Sequence, residues 1–206
     1  MDKKKSGPDS YSEVNEAVQK YKRDRDKKFT YADYESWDDE NRYELIDGVE
    51  FMMSAPSTAH QSILIELSRQ IANFLKGKSC RVFTSPYDVC LNGLGDDDYT
   101  VVQPDILVVC DKSKIDEKRC NGAPDMVIEI LSPSTSKRDL LIKQVKYQEA
   151  GVREYWIVDP DYKMVKVYAQ NNGYCMVKVY RCDESIAMTV LEGCTIALPD
   201  VFSDIA

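Results

Sequence analysis

The sequence predicts an α/β fold: a mixed β-sheet flanked by helices, with additional β-hairpins. Two short apolar runs, Ile106–Val109 and 126–131, are rich in β-branched residues and have the composition of buried strands. Leu64, Leu67 and Ile71 recur at helical spacing, which indicates an amphipathic helix with one buried face. A chain of 206 residues with these elements is expected to form one domain with appended pieces.

Composition limits the class of protein. A hydrophobic content of 43% and a charged content of 30% are typical of an ordinary soluble globular protein. No apolar run approaches the roughly 20 residues of a membrane-spanning helix, and the N-terminus lacks the apolar segment of a signal peptide. We therefore expect a cytoplasmic protein without a membrane partner.

The cysteines and the single histidine exclude several kinds of site. Seven cysteines, an odd number without any CxxC pair, favour reduced and partly buried thiols over a disulfide framework or a zinc site. Because His60 is the one histidine, zinc sites built from several histidines are excluded within one chain. The chain has no GxxxxGKS/T and no GxGxxG motif, so phosphate-cradling nucleotide loops are absent and no organic cofactor is expected.

Charge divides the chain into two predicted parts. The net charge of −8 disfavours non-specific attraction to nucleic acid, although it is compatible with a local basic patch. Residues 1–28 are polar and dense in both signs of charge, which predicts an N-terminal arm that is helical or mobile. A basic arm that contacts nucleic acid is the alternative. Residues 29–206 are expected to form the single domain.

Cap and turn residues define the first predicted elements. Thr30 is placed to cap a short helix over 31–37, with Asp33 at the third helical position of a capping box. Asp47-Gly48 is a strong two-residue turn signal between two strand-like runs. The chain is therefore expected to begin its domain with a capped helical turn and a β-hairpin.

Strands and two longer helices follow. The first helix is expected to start at Ser57 or Thr58 and to end at Gly77. Hydroxyls in 132–136 are placed to cap a second helix that runs to Ala150. A polar connection covers 111–123. The remaining predicted strands cover 80–91, 101–110, 124–131, 155–159, 164–169, 174–180, 188–191 and 195–198.

Two acids stand inside the apolar strands. Asp105 precedes the first apolar run, and Glu129 lies within the second. A carboxylate in such a strand is costly unless a charged group meets it, and two on neighbouring strands repel unless a cation lies between them. Oxygen ligands suit a hard divalent ion, so the pair predicts a Mg²⁺ or Mn²⁺ site.

The helix after these strands could complete the site. Asp139, Lys143 and Tyr147 are four residues apart, so they share one helical face. That face begins where the strand of Glu129 ends, so Asp105, Glu129 and Lys143 are expected to converge. The alternative is a surface ion pair between Asp139 and Lys143, worth only about 0.2–0.5 kcal/mol, with Tyr147 as a packing residue.

These residues belong to a wider pattern. The chain carries, in order, Tyr43-Glu44-Leu45-Ile46-Asp47-Gly48, His60, Gln103-Pro104-Asp105, Glu129 with Ser132-Pro133-Ser134, Asp139, Lys143, Tyr147 and Gly151-Val152-Arg153-Glu154-Tyr155-Trp156. In order and spacing this set resembles the Uma2 family of restriction-endonuclease-like proteins, within the PD-(D/E)xK nuclease superfamily. The resemblance covers roughly residues 30–202, and it implies that the mixed sheet is of the restriction-endonuclease type.

The resemblance implies a metal-dependent endonuclease that hydrolyses the phosphodiester bonds of DNA. The superfamily pattern places its two acids at Asp105 and Glu129. It places a lysine two residues after Glu129, where this chain has Leu131. Lys143 on the following helix is the implied replacement, and Lys146 is its rival on that helix.

Each implied site residue has a role in that chemistry. One Mg²⁺ (or Mn²⁺) would be held by Asp105, Glu129 and the carbonyl oxygen of Ile130. Lys143 would orient or deprotonate the attacking water, or stabilise charge on the phosphate. Glu44 would be an extra acid that contacts the metal or its waters. The side chains implied to support the ligands and waters are those of His60, Gln103, Asp139 and Tyr147.

Alternatives to this function remain. Leu131 at the lysine position and the negative charge are compatible with a catalytically inactive nucleic-acid-binding or regulatory module. A third hypothesis is that the protein hydrolyses a phosphodiester that is not a nucleic acid. A solvent cleft with Lys143 close to both strand acids would favour the enzyme, and a site filled by Tyr147 or Leu131 would favour the module. Concerted cutting of both strands would need a homodimer.

Overall fold

A six-stranded mixed β-sheet forms the centre of the fold. The computed structural model describes residues 27–38, 40–132, 137–171 and 174–205, so all but the end of the predicted N-terminal arm lies outside the described residues. The helices are α1 (Tyr31–Glu35), α2 (Thr58–Leu75), α3 (Lys137–Ala150) and α4 (Leu198–Val201), with two short 3-10 helices, Gly95–Asp97 and Lys112–Lys114. None of the described helices is both long and apolar enough to cross a membrane.

Thirteen strands are seen in the described ranges. They are β1 (Tyr43–Ile46), β2 (Val49–Met52), β3 (Arg81–Thr84), β4 (Asp88–Cys90), β5 (Val101–Val102), β6 (Ile106–Val109), β7 (Arg119–Asn121), β8 (Met126–Ile130), β9 (Glu154–Asp159), β10 (Met164–Asn171), β11 (Tyr174–Arg181), β12 (Ser185–Ala187) and β13 (Thr195–Ala197). The central sheet has the order β11-β10-β9-β8-β6-β3, and a five-stranded sheet has the order β2-β1-β5-β4-β7. Strands β12 and β13 form a third, two-stranded sheet.

The central sheet is mixed because one of its connections is a helix. Strands β8 and β9 are parallel, and α3 supplies the crossover that a parallel pair requires. The other neighbouring pairs in this sheet are antiparallel. The predicted α/β class, with helices and added hairpins around a mixed sheet, is confirmed.

The two faces of the central sheet bury different partners. Side chains alternate along each strand, so Ile128 and Trp156 face the apolar stripe of α2. On the other face, Val127 packs in a cluster that includes Tyr147 of α3 and Val89 of the five-stranded sheet. Residues with odd numbers on β6 and β8 share this second face, which is where the predicted site must lie.

Local sequence signals account for several element boundaries. Thr30 caps α1, and its backbone N–H donates to Asp33 Oδ2 (3.1 Å), completing the predicted capping box. Asp47 and Gly48 both have positive φ (53° and 81°), as a tight two-residue hairpin turn requires. The Ser57 hydroxyl accepts from the His60 N–H (3.2 Å) and begins α2. These predictions are confirmed.

The predicted strands 80–91 and 101–110 each divide into two. Strands β3 and β6 pair in the central sheet, whereas β4 and β5 pair in the five-stranded sheet. The divisions fall at Ser85-Pro86 and Gln103-Pro104-Asp105, where proline removes a ladder donor. In each of these two segments the chain therefore crosses from one sheet to the other, and both crossings lie beside the predicted acids.

Two further predictions of strands are corrected. The segment 188–191 is not a strand, because the backbone N–H groups of Thr189 and Val190 donate to the Glu154 carboxylate instead (both 2.8 Å). The partner of β13 is β12, which lies earlier in the chain. The segment 111–123, predicted as a polar connection, also contains β7, which pairs in parallel with β4.

The prediction that all cysteines are reduced is wrong for one pair. Cys80 and Cys110 form a disulfide. The register of β3 and β6 pairs Arg81 with Val109, so the cysteines one residue further along stand opposite each other. The two cysteines are 30 residues apart in the sequence, and that spacing does not indicate that they are close in the fold. Free thiols are present at Cys90, Cys120, Cys182 and Cys194.

Candidate active site

Strand register brings the two predicted acids together. Strands β6 and β8 are antiparallel with Ile106 opposite Ile128. Continuing that register by one residue sets Asp105 opposite Glu129, on the face covered by α3. Directly opposed residues of an antiparallel pair have Cβ atoms about 4.5–5.5 Å apart. The two acids therefore share one location, as the sequence predicted.

Helix α3 supplies two contacts to Glu129. Glu129 Oε1 lies 2.6 Å from the Lys143 ammonium and accepts from the Tyr147 hydroxyl (2.7 Å). Lys143 and Tyr147 are one helical turn apart, so the predicted shared face is confirmed for these two residues. The Asp139 side chain lies outside the described residues. Lys143 and Glu129 are each 7% exposed.

A third acid comes from the five-stranded sheet. Glu44 of β1 uses Oε1 to accept from Lys143 Nζ and from the Gln103 backbone N–H, both at 2.8 Å. The Lys143 ammonium is therefore held between carboxylates that belong to different sheets. Lys146, the rival lysine, instead contacts Asp47 (3.0 Å) at the hairpin turn.

Burial and charge act against each other in this cluster. Burial raises the pKa of the Glu129 carboxyl, Lys143 opposes that rise, and Asp105 and Glu44 add to it. Burial alone would lower the pKa of Lys143, but Glu129 and Glu44 outweigh it, so the pKa is raised. Burial, and then Glu129, raise the pKa of Tyr147 far above its usual value, which keeps its hydroxyl a donor. Lys143 is therefore a cation in this arrangement.

Asp105 is positioned by a strand and by a helix start. Its Oδ2 accepts from the Ile130 N–H (2.7 Å) and lies 3.1 Å from His60 Nε2. His60 is on the first turn of α2 and is buried, and its Nδ1 has no hydrogen-bond partner among the described residues. The Ile130 backbone therefore contacts the site by donating its N–H to Asp105. The ligand role of its carbonyl stays a prediction.

Each of the three carboxylates is held by only one of its oxygens. All described donors converge on Asp105 Oδ2, Glu129 Oε1 and Glu44 Oε1. The opposite oxygens have no hydrogen-bond partner in the described part of the chain, and they are not among its fully buried, unpartnered atoms. No described residue therefore donates to Asp105 Oδ1, Glu129 Oε2 or Glu44 Oε2, and we refer to these as the open oxygens of the cluster.

These residues line one cleft. Its volume is about 200 Å³. The polar side chains that line it include Arg42, Glu44, His60, Gln103, Asp105, Glu129 and Lys143. Tyr147 and Leu131 are not in its lining, and Leu131 packs against the apolar cluster on the same face as Tyr147. The cleft therefore contains the acids and the lysine, without the side chains expected to fill an inactive site.

Asp105 and Glu129 are the residues that could hold a metal ion. Within the described ranges, no group of three or more His, Cys, Asp or Glu side chains is arranged to hold one. The Lys143 ammonium lies between Glu44 and Glu129, and this separates them. Mg²⁺ commonly uses one or two carboxylates and keeps several waters. Two acids with one open oxygen each fit that requirement.

Sequence reasoning missed the residues that surround Gln103. The Gln103 Oε1 accepts from Arg42 Nη2 (2.5 Å), and Nε2 donates to Asp88 Oδ1 (2.8 Å) and to the Tyr34 hydroxyl (3.0 Å). Arg42 is two residues before Glu44, so the period of a strand puts both on one face. That spacing could have identified Arg42, whereas nothing in the sequence connects Asp88 or Tyr34 to Gln103.

Comparisons with known proteins agree with this architecture. The family model Uma2, described as "Putative restriction endonuclease", matches residues 31–199. The chain belongs to the Uma2 family. A protein of Synechocystis sp. (strain ATCC 27184 / PCC 6803 / Kazusa), described only as uncharacterized, is 25% identical over 183 residues, covering 87% of this chain and 94% of that protein.

A solved structure shares the Uma2 fold seen here. It is the crystal structure of a "putative nuclease belonging to DUF820" from Anabaena variabilis ATCC 29413. The TM-score is 0.70 at 23% sequence identity, over 86% of this chain and 99% of that one. At this identity the match establishes the fold.

Proposed function

We propose that this Uma2 protein hydrolyses DNA phosphodiester bonds with Mg²⁺ (or Mn²⁺) held by Asp105 and Glu129. One observation carries the proposal: two opposed carboxylates, each with an open oxygen, share a cleft with a buried lysine ammonium. The family description supports the same reaction class. A homodimer would supply the two sites needed to cut both strands.

The metal, when bound, would polarise the phosphate and lower the pKa of a bound water. The residues of the chain hold the reacting groups. His60 and the Ile130 N–H orient Asp105, and Tyr147 orients Glu129. Glu44 fixes Lys143 from the opposite sheet. Two ion pairs keep Lys143 charged, so it serves to stabilise negative charge on the phosphate and is a poor base for the attacking water.

Metal binding tests the ligand assignment. We expect the wild-type protein to bind Mn²⁺ in isothermal titration calorimetry, and Asp105→Asn with Glu129→Gln to lose that binding. The amides keep the size of the carboxylates but remove the charge that a hard cation needs. Asp125→Asn is the matched control, because this acid directly precedes β8 yet pairs with Arg153. Equal Mn²⁺ binding by the double variant and the wild type would eliminate the site.

One observation favours an inactive DNA-binding module as the second candidate. Leu131 stands at the superfamily lysine position and packs, half-buried, against the apolar cluster. Under this reading Lys143 is a structural cation between two acids. Cleavage of DNA by purified wild-type protein, lost on substitution of Asp105, would exclude the module.

A further inference from the structure

The cleft contains one basic side chain without an acidic partner. Of the basic residues that line it, Lys143 contacts Glu44 and Glu129, and His60 contacts Asp105. Arg42 contacts no carboxylate in the described part of the chain. Its positive charge acts on Asp88, which is bonded to the same Gln103, but no described carboxylate pairs with the guanidinium directly.

Neutral acceptors hold the Arg42 guanidinium in place. The Nη2 group donates to Gln103 Oε1 (2.5 Å) and to Ser85 Oγ (2.7 Å). Nε and Nη1 have no hydrogen-bond partner among the described residues. A guanidinium presents its donors as a rigid planar fork that suits phosphate oxygens. With one arm of the fork anchored, the remaining donors are available to an anion.

The anchor of Arg42 is tied to the carboxylate centre. Gln103 accepts from Arg42 through its side chain and donates to Glu44 through its backbone N–H (2.8 Å). Arg42 and Glu44 are two residues apart on an extended segment, a separation of about 7 Å along the strand. This separation is short enough for a phosphate at Arg42 and a phosphate at the carboxylate centre to belong to one stretch of the same nucleic-acid strand.

We propose that Arg42 forms an anion subsite that binds a phosphate of the polynucleotide next to the one that is cleaved. The proposal rests on the proposed function and narrows its substrate class. A polymer with several phosphates can occupy the carboxylate centre and the subsite together, whereas a small phosphodiester can occupy only one. The subsite therefore selects a polynucleotide over a small phosphodiester.

Salt dependence of binding tests the subsite separately from catalysis. The probe is a fluorescein-labelled phosphorothioate duplex, which keeps the charges of DNA and resists hydrolysis. Its binding to the full chain in Mg²⁺ is followed by fluorescence anisotropy over a series of NaCl concentrations. The variants are Arg42→Ala, Arg42→Lys and, as the matched control, Arg81→Ala. Arg81 is also exposed, begins β3 and does not line the cleft.

We expect Arg42→Ala to reduce the slope of log affinity against log salt by about 0.9, the value for one lost phosphate contact. Arg42→Lys should keep the slope, because a lysine also neutralises one phosphate, and Arg81→Ala should keep it too. A structural role for Arg42 would weaken binding without changing the slope.

Three results would overturn the subsite: an unchanged slope for Arg42→Ala, an equal loss for Arg81→Ala, or no binding by the wild-type protein. Failure of the proposed function has a different signature. If unmodified DNA is not hydrolysed but the slope still depends on Arg42, the subsite stands and the protein is a binding module.

Discussion

Lys143 is the residue that most affects whether this site is interpreted as a catalytic centre or as an inactive module. A cation buried between two acids is costly to create and costly to disrupt, because removal of one partner leaves unpaired charge in a low-dielectric region. Lys143 reaches Glu44 and Glu129 from α3. We propose that it takes the part of the lysine that the superfamily pattern implied by the resemblance places on the strand, at Leu131. Its charge is the same in both arrangements, and only the supporting element differs.

We expect Lys143→Met to reduce DNA cleavage about 100-fold, the usual cost of losing one group that stabilises transition-state charge. Initial rates with Mn²⁺ measure the effect. Lys146→Met is the control, because it removes the same charge three residues further along α3, where the lysine pairs with Asp47 and Glu149 instead. Circular dichroism checks folding, and Lys143→Arg keeps the positive charge should the Met variant unfold. Equal rates for Lys143→Met and wild type would remove Lys143 from the mechanism.

At the scale of single elements, the β1–β2 hairpin carries Glu44 to the cleft. Its turn depends on Gly48, which has φ +81°, and a Cβ there would lie 2.7 Å from the Lys28 Cβ and 2.9 Å from the Lys28 Cα. The close approach follows from the hydrogen bond of the Phe29 N–H to the Gly48 carbonyl (2.9 Å). Glycine is therefore required here for two separate reasons, conformation and space.

Gly48→Ala should lower the free energy of unfolding by about 2–4 kcal/mol, combining left-handed strain with a backbone clash. Gly77→Ala measures the left-handed strain alone, because Gly77 also has a positive φ (+79°) but nothing lies within 4 Å of a Cβ added there. That variant should lose only about 1–2 kcal/mol. Urea denaturation of the two variants measures the difference. Equal losses would mean that the Lys28 segment moves aside at no cost.

The elements that sequence predicted well are those with strong local signals. The capping box at Thr30, the Asp47-Gly48 turn and the strand of Glu129 follow from neighbouring residues. Failures occurred where a distant group decided the outcome. Glu154 takes the backbone donors of the predicted strand 188–191, and that competition cannot be seen in a local pattern.

At the scale of the whole molecule, the site lies where two sheets meet. Glu44 belongs to the five-stranded sheet. Asp105 directly precedes β6 and Glu129 lies in β8, and these two strands pair in the central sheet. Asp105 and Glu129 were predicted from their residue type and their positions in apolar strands, and Glu44 was implied by the family resemblance. The division of the chain between the sheets could not be predicted from sequence. Nothing therefore indicated the contacts of Arg42 to Ser85 and Gln103, although the strand spacing of Arg42 from Glu44 was visible.

Glu154 connects the central sheet to the chain that covers one of its faces. Its fully buried carboxylate accepts from the Trp156 indole and from the N–H groups of Thr189 and Val190, all at 2.8 Å. Glu154→Ala would leave these donors unsatisfied, so we expect a loss of about 2–4 kcal/mol in the free energy of unfolding. Glu192→Ala, at an exposed position nearby in the chain, should change it by less than about 0.5 kcal/mol. Thermal and urea denaturation together measure both variants, and similar values for the two would contradict the assignment.

Asp105 and Glu129 are each held by the protein through one carboxylate oxygen, and this limits how many oxygens each can offer to a metal ion. Bidentate chelation by either carboxylate would have to displace a contact that the protein already makes, to Ile130 or His60 in one case and to Lys143 or Tyr147 in the other. Monodentate coordination displaces none of them. Mg²⁺ accepts single oxygens and retains its waters, whereas Ca²⁺ takes more oxygens and often chelates. We therefore expect the wild-type protein to bind Mg²⁺ more tightly than Ca²⁺, which parallel titrations with the two ions measure directly.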